Sequence, residues 1–236
     1  MSGHSKWSTI KRQKGATDAK RGAVFTKLGN TIAISVREGG SGDPESNFKL
    51  RLAIEKARAA NMPKENITRS IDRGLGKGGE AALESALYEG FGPAGAAVLV
   101  EAITDNRART GSELRNIFEK VGGSLGGPGA VSYMFTRVGE IELPKEGQSF
   151  DAVFEKALES GAQDLEETEE GFLVYTKPED LHKVGEVIGK AGNLSFRPNK
   201  ETMMAIADPG KKEQLENFLE SLSELDDVQE IYTNLN

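Results

Sequence analysis

Between residues 21 and 38, apolar side chains return at every fourth position: Val24, Leu28, Ile32 and Val36, with Phe25 beside them. That spacing predicts a helix with one buried stripe. Gly39-Gly40-Ser41-Gly42 ends it, and Asp43 followed by Pro44 predicts an N-cap and a first-turn proline for a second helix. Phe48, Leu50, Leu52, Ile54 and Ala57 give that helix a broad apolar face, with Lys49, Arg51, Lys56 and Arg58 largely outside it. Asn61-Met62-Pro63 breaks the chain again. A short third helix then turns Ile67 and Ile71 inward and leaves Lys64, Arg69 and Arg73 to solvent. Gly74, Gly76, Gly78 and Gly79 predict a flexible joint after it.

Beyond the joint the period changes. Ala96–Ile103 is a near-continuous apolar run of strand length, as a strand covered on both faces requires. Thr110 and Glu113 match a capping box, opening a helix with Leu114, Ile117, Phe118 and Val121 on one side. The glycine-rich stretch Gly122–Gly129 leads to a strand expected near Val131–Phe135. Residues 137–205 then read as βαββαβ, the ferredoxin-like order. A strand near Glu140–Leu143 precedes a helix bearing Phe150, Val153, Phe154 and Ala157, and two strands flank Glu169-Glu170-Gly171. A second capping box, Thr176 and Glu179, opens a helix burying Leu181, Val184 and Ile188, and a strand near Thr202–Ala207 closes the unit. The last elements are a helix lined by Leu215, Phe218, Leu219 and Leu222 and a strand at Val228–Thr233. They have no partner of their own and are expected to complete the unit at 88–136. The chain thus divides into a basic helical domain (1–79), a discontinuous α+β domain (80–136 with 206–236) and an inserted ferredoxin-like α+β domain (137–205).

Composition narrows the chemistry. Apolar residues are 37% of the chain, and with the 28 glycines they make about half of it, ordinary for a folded protein. There is no cysteine, which removes disulfides, thiolate nucleophiles and cysteine metal sites. The two histidines, His4 and His182, stand far apart, so neither a zinc site nor His-dependent acid–base catalysis is expected. No cofactor is expected. No stretch approaches the roughly 18 apolar residues of a membrane span. The N-terminus has no apolar secretory core, and Gly3, Gly15 and Gly22 interrupt a transit-type helix, so the expected location is the cytoplasm.

Charge changes the picture most. Residues 1–79 hold 16 Lys and Arg against seven Asp and Glu, a net of +9, while the remaining 157 residues net −16. In the first 37 residues Lys6, Lys11, Arg12, Lys14, Lys20, Arg21, Lys27 and Arg37 face one acid, Asp18. A basic third on an acidic remainder points to a polyanion at one end. Nucleic acid is the obvious one, since each neutralised phosphate releases counterions; the plainer alternative is a solvated basic surface. Trp7 among these cations fits a base-stacking platform, or an anchor for the terminus. Arg107 and Arg109, just ahead of a helix N-terminus, form a ready anion site, or else Asp105 pairs with one of them and shapes the turn. Neither Gly122–Gly129 nor Gly74–Gly79 has the Lys and Ser/Thr of a P-loop, so neither is read as a nucleotide site. The acidic runs at 166–170 and 216–227 read as wet helix faces that repel phosphate and could engage basic proteins.

The segment Met1-Ser-Gly-His-Ser-Lys-Trp7 through Lys20-Arg21-Gly22, with Phe25-Thr26-Lys27-Leu28, closely resembles the start of the YebC family. So do Gly42-Asp43-Pro44, Lys56-Ala57-Arg58-Ala59-Ala60-Asn61-Met62-Pro63, Tyr88-Glu89-Gly90-Phe91-Gly92-Pro93, Thr104-Asp105-Asn106-Arg107 and Tyr133-Met134-Phe135, in order along the whole chain. Phe48-Lys49 and Ala108 depart from the family pattern. The resemblance implies three domains, the third inserted in the second. It also implies a family labelled as probable DNA-binding transcriptional regulators, which includes a mitochondrial translational activator and relatives thought to act on ribosomes stalled at proline-rich stretches.

Three functions follow as expectations. A non-enzymatic DNA-binding regulator of transcription comes first. A translation factor gripping ribosomal RNA, its acidic domains against basic ribosomal proteins, is the alternative. An enzyme using Asp105 and Glu101 is disfavoured for want of a carboxylate cluster or nucleophile. No catalytic or metal residue is assigned, and neither a membrane nor a small-molecule substrate is expected. The candidate nucleic-acid residues are Lys6, Trp7, Lys11, Arg12, Lys14, Lys20, Arg21, Lys27, Arg107 and Arg109.

Overall fold

The computed structural model describes residues 6–7, 18–77, 79, 81–145, 147, 149–168 and 171–235. A two-residue strand, β1 (Lys6–Trp7), precedes three helices: α1 (Asp18–Gly39), α2 (Phe48–Ala59) and α3 (Lys64–Gly74). The apolar stripe of α1 packs as its spacing demands, with Leu28, Ile32 and Val36 against Leu50, Ile54 and Ala57 of α2 and Ile67 of α3. The start of α2 corrects the sequence reading. Its N-cap is Asn47, whose Oδ1 accepts from the Leu50 N–H at 3.1 Å while Nδ2 donates to the Ser35 and Ser41 carbonyls at 2.9 Å. Asp43 only shapes the preceding turn, accepting from the Glu45 N–H at 3.0 Å. An amide can donate and accept at once, so Asn47 joins the ends of two helices where a carboxylate could not. The expected glycine joint is also partly misread. Gly74 is the last residue of α3, and a Cβ there would lie 2.5 Å from the Ala33 carbonyl, so this glycine serves the close approach of α3 to α1.

The first sheet contains β2 (Glu84–Phe91), β3 (Ala97–Thr104), the short β4 (Ser124–Leu125) and, from the far end of the chain, β9 (Val228–Thr233). Its order is β1-β9-β3-β2-β4, so the C-terminal strand pairs with β3, as the unpartnered ending predicted, and also with the N-terminal β1, which the sequence reading did not foresee. Helices α4 (Arg107–Lys120) and α7 (Pro209–Ser223) cover one face, where Phe118 and Phe218 meet edge-on at 4.9 Å among Val98, Val100, Leu222 and Ile231. Ala97, Leu99 and Tyr232 fill the opposite face with Val131 and Phe135. Cover on both sides is why β3 reads as an unbroken apolar run.

The second sheet is formed by β5 (Phe135–Pro144), β6 (Asp164–Glu167), β7 (Gly171–Thr176) and β8 (Asn193–Pro198), in the order β6-β7-β5-β8. All its pairs are antiparallel, and α5 (Phe150–Ser160) and α6 (Leu181–Ile188) pack on one face. This is the expected ferredoxin-like arrangement with three local corrections. β5 starts at Phe135, two residues ahead of the expected opening, after a 3-10 turn at Ser132–Met134 in place of a strand at 131–135. The second capping box does not form: the Thr176 hydroxyl donates to the Lys177 carbonyl at 2.8 Å, and a 3-10 turn at Pro178–Asp180 leads into α6. The closing strand is β8, not 202–207. That later segment is held to the C-terminus instead, by Asn234 Nδ2 to the Thr202 carbonyl (2.7 Å) and by a single bridge between Met204 and Leu235. The sheets meet where Phe196 of β8 packs edge-on to Tyr232 of β9, 5.4 Å between centroids.

Candidate nucleic-acid interface

In the helical region α1 and α3 border an open groove. Phe25, Thr26 and Asn30 of α1 form one wall, and Lys64, Arg69, Arg73 and Lys77 bring four cations to the other against two acids, Glu65 and Asp72. Gly29 allows this approach, since a Cβ there would sit 2.9 Å from Ser70 Oγ. Not every cation is equally available. Arg73 is half-buried and donates to Asn30 Oδ1 at 2.9 Å, a correction to its expected exposure, and Lys77 pairs with Asp72 at 2.9 Å. Lys64 and Arg69 are exposed, as are Arg21 near the start of α1 and Lys56 and Arg58 at the end of α2.

The candidates named from sequence divide into three groups. Lys11, Arg12 and Lys14 lie outside the described residues. Lys6 and Trp7 form β1, opposite Tyr232 and Ile231 of β9, and Lys20 and Arg21 open α1. Lys27, Arg107 and Arg109 are committed elsewhere.

Lys27 is buried, and its ammonium donates to the Ser223 carbonyl at 2.5 Å, at the junction of α1 with α7. Burial lowers its pKa to about 8 against the pull of Asp226 and Glu230, and a side chain so enclosed has no face for phosphate. Helical periodicity could have raised this warning: Lys27 lies one position ahead of buried Leu28 on a helix that is covered on more than one side. Thr31 to Gln229 Oε1 (3.1 Å) and Arg37 to the Leu83 carbonyl continue the same seam.

Around the start of α4 the bland alternative prevails. Asn106 is the N-cap, accepting from the Ala108 and Arg109 N–H groups at 3.1 and 3.0 Å, so Thr110 does not open the helix as a capping box. The Thr110 hydroxyl is buried, donating to Asp227 Oδ2 at 2.6 Å and lying 2.8 Å from the Thr104 hydroxyl. Arg109 pairs with Asp227 at 3.0 Å and Asp105 at 2.9 Å, contacts that raise its pKa. Arg107 pairs with Glu84 at 2.8 Å and donates to the Ser85 carbonyl. The anion site foreseen from the sequence is therefore occupied by the protein's own carboxylates. Of the acids in the enzyme alternative, Asp105 is bound to Arg109, and Glu101 accepts from the Tyr232 hydroxyl at 2.8 Å. Among the described residues no group of three or more His, Cys, Asp or Glu is placed to hold a metal.

Sequence reasoning missed Glu89. From β2 its buried carboxylate accepts the N–H groups of Gly129, Val131 and Ser132 at 2.9, 2.8 and 2.8 Å. Burial opposes its ionisation, but these bonds outweigh it and hold the pKa below the usual carboxylate range. The glycine-rich stretch, which the sequence excludes only as a nucleotide site, is thus gathered at its end by one side chain about forty residues upstream. No local pattern announces such a bond.

This arrangement, a basic helical module joined to two acidic α+β units, defines a known class. The description TACO1/YebC protein N-terminal domain matches residues 5–77, and TACO1/YebC second and third domain matches residues 83–235. The chain belongs to the TACO1/YebC family. It is 49% identical to a probable transcriptional regulatory protein of Chloroflexus aurantiacus, covering 100% of this chain and 95% of that one. A protein of the same name from Rubrobacter xylanophilus is 47% identical over 99% of this chain and 95% of its own length. Among solved structures, a conserved hypothetical protein from Aquifex aeolicus is similar at a TM-score of 0.86 and 42% identity, covering 98% of this chain and 96% of that one. No helix among the described residues is long and apolar enough to cross a membrane.

Proposed function

We propose that this protein is a non-enzymatic regulator of gene expression that binds DNA through its basic helical domain. The observation that carries the reading is the separation of charge, +9 over residues 1–79 against −16 over the rest. The names of its relatives, probable transcriptional regulatory proteins, favour DNA. The units we propose are the domains read from the sequence, 1–79, 80–136 with 206–236, and 137–205. Binding is made by Lys64 and Arg69 of the α1–α3 groove, with Lys6, Trp7, Lys11, Arg12, Lys14, Lys20 and Arg21 ahead of it. Cations aligned on phosphates position a duplex without specifying its sequence, and the acidic body confines nucleic acid to the basic end. The same acidic body favours one second reading, a translation factor whose basic domain grips ribosomal RNA while its acidic units meet basic ribosomal proteins. The expected location is the cytoplasm.

Salt titration of binding to duplex DNA and to ribosomal RNA fragments tests the reading. Changing Lys11, Arg12 and Lys14 together to Ala, or Lys64 and Arg69 together, weakens binding to all sequences alike. The slope of log affinity against log salt falls by about 0.9 for each duplex phosphate no longer neutralised, or about 0.7 on single strands. Unchanged affinity and slope in both variants would remove these residues from the interface. Parallel in-cell crosslinking to DNA and RNA separates the two readings: promoter DNA above an RNA background supports the first, a defined ribosomal RNA region the second.

A further inference from the structure

Helix α5 of the ferredoxin-like unit carries an apolar stripe that its own core engages only at one end, through Phe150. Val153 and Ala157 point into the core beneath the helix. Phe150, Phe154 and Leu158, spaced by four, remain 38%, 37% and 49% exposed. At about 100° per residue they form a stripe beside the buried face, running roughly 12 Å along the axis. The two phenyl rings stack with centroids 5.7 Å apart and planes within 13°, so the stripe has a flat end; the Phe150 ring also leans on buried Phe172 at 6.3 Å. Helix α6 lies on the other side of α5, where Lys156 donates to the Ile188 carbonyl at 3.4 Å.

Directly beside the stripe, each one residue further along the chain, stand Asp151, Glu155 and Glu159. All three are exposed, and none forms an ion pair with a described residue. A lone exposed phenylalanine is unremarkable. Three large apolar groups in register with three acids that pair with no described residue make a two-lane surface, and the acidic lane decides what covers it. Phosphate is repelled, which removes nucleic acid and anionic lipid. A cationic amphipathic helix satisfies both lanes, laying its apolar residues on the stripe and its Lys or Arg against the carboxylates. We infer that this face of α5 is a docking surface for a basic amphipathic helix of a protein partner, separate from the nucleic-acid interface of the helical domain.

The test uses the full chain and two labelled model peptides of about 20 residues, long enough for a marginal helix in water. Both have Leu at helical spacing; one carries Lys on its polar face and the other Glu. Fluorescence anisotropy is expected to show the Lys peptide binding roughly tenfold more tightly than the Glu peptide. Leu158→Ser combined with Phe154→Ser should weaken it at least several-fold. Glu155→Lys combined with Glu159→Lys should reverse the preference between peptides. Circular dichroism checks that each variant keeps its fold, and the charge variant, changed only at exposed positions, keeps the test open if the apolar one does not. Equal binding of both peptides overturns the inference, as does Lys-peptide binding that neither pair of substitutions moves. Self-association of the protein abolished by Leu158→Ser, with no effect on the peptide, would also overturn it by making a second copy the occupant.

Discussion

Replacing Lys27 with Met removes a titratable group from the seam between α1 and α7, and the consequence has a definite sign. The ammonium's pKa falls from 10.5 to about 8 in the folded protein. Between those values the unfolded chain binds more protons than the folded one, so stability rises with pH. Below about 8 the buried charge carries its full penalty, and above about 10.5 none remains. At 1.36 kcal/mol per unit, the penalty is on the order of 3 kcal/mol. Met keeps the length of the side chain and discards the titration, though it leaves the Ser223 carbonyl unpaired at a cost of about 1–3 kcal/mol. At neutral pH the variant should therefore match the parent or exceed it slightly. Its advantage should shrink, and turn into a deficit, as pH rises from about 7 to 10.5. Urea unfolding of both proteins across that range, followed by circular dichroism, measures the difference. Stability curves that stay parallel within about 0.5 kcal/mol would refute the assignment of a depressed, buried Lys27. Nucleic-acid affinity should be unchanged by the substitution, unlike in the variants of the groove.

Glu89→Gln should loosen the turn from Gly129 to Ser132 and cost about 1–3 kcal/mol at neutral pH, read by thermal melting. Because Glu89 titrates below its ordinary value, its contribution in the parent is complete above about 4.5 and is lost as pH falls through the folded value; the parent and variant should converge in acid. Asn47→Ala removes a helix cap and two bonds, one to Ser35 of α1 and one to Ser41 in the turn after it, with an expected loss of about 1–3 kcal/mol in urea unfolding. Asn47→Asp should restore the cap and not the donors, recovering only part of that loss.

Long apolar periodicity was legible. The α1 stripe, the β3 run, the faces of α4 and α7 and the ferredoxin-like order all follow from spacing, because burial on a known period leaves a mark in every turn. What spacing cannot show is which polar side chain completes a junction. Asn47 displaced Asp43 because it serves two partners. Asn106 displaced Thr110, whose hydroxyl went to Asp227, a residue far along the sequence. The strand β2 carries no clean alternation, since Leu87 is exposed while Glu89 and Gly90 are both buried, and it went unread. For the site, composition located the basic end but not which cations are spent internally. Lys27, Arg107 and Arg109 look identical to free cations until Ser223, Glu84, Asp105 and Asp227 are placed beside them.

The place of β9 between β1 and β3 also governs how this protein must be born. The second sheet closes within residues 135–198 and can assemble while the rest of the chain is still being synthesised. The first cannot, because β3 waits for a neighbour synthesised long after it, β9. Throughout that interval Ala97–Thr104 is an apolar edge without its partner, the kind of segment that seeks other strands. Removal of residues 228–233 should accordingly give aggregates and not a shortened but folded protein, since β9 is the strand that lies between β1 and β3.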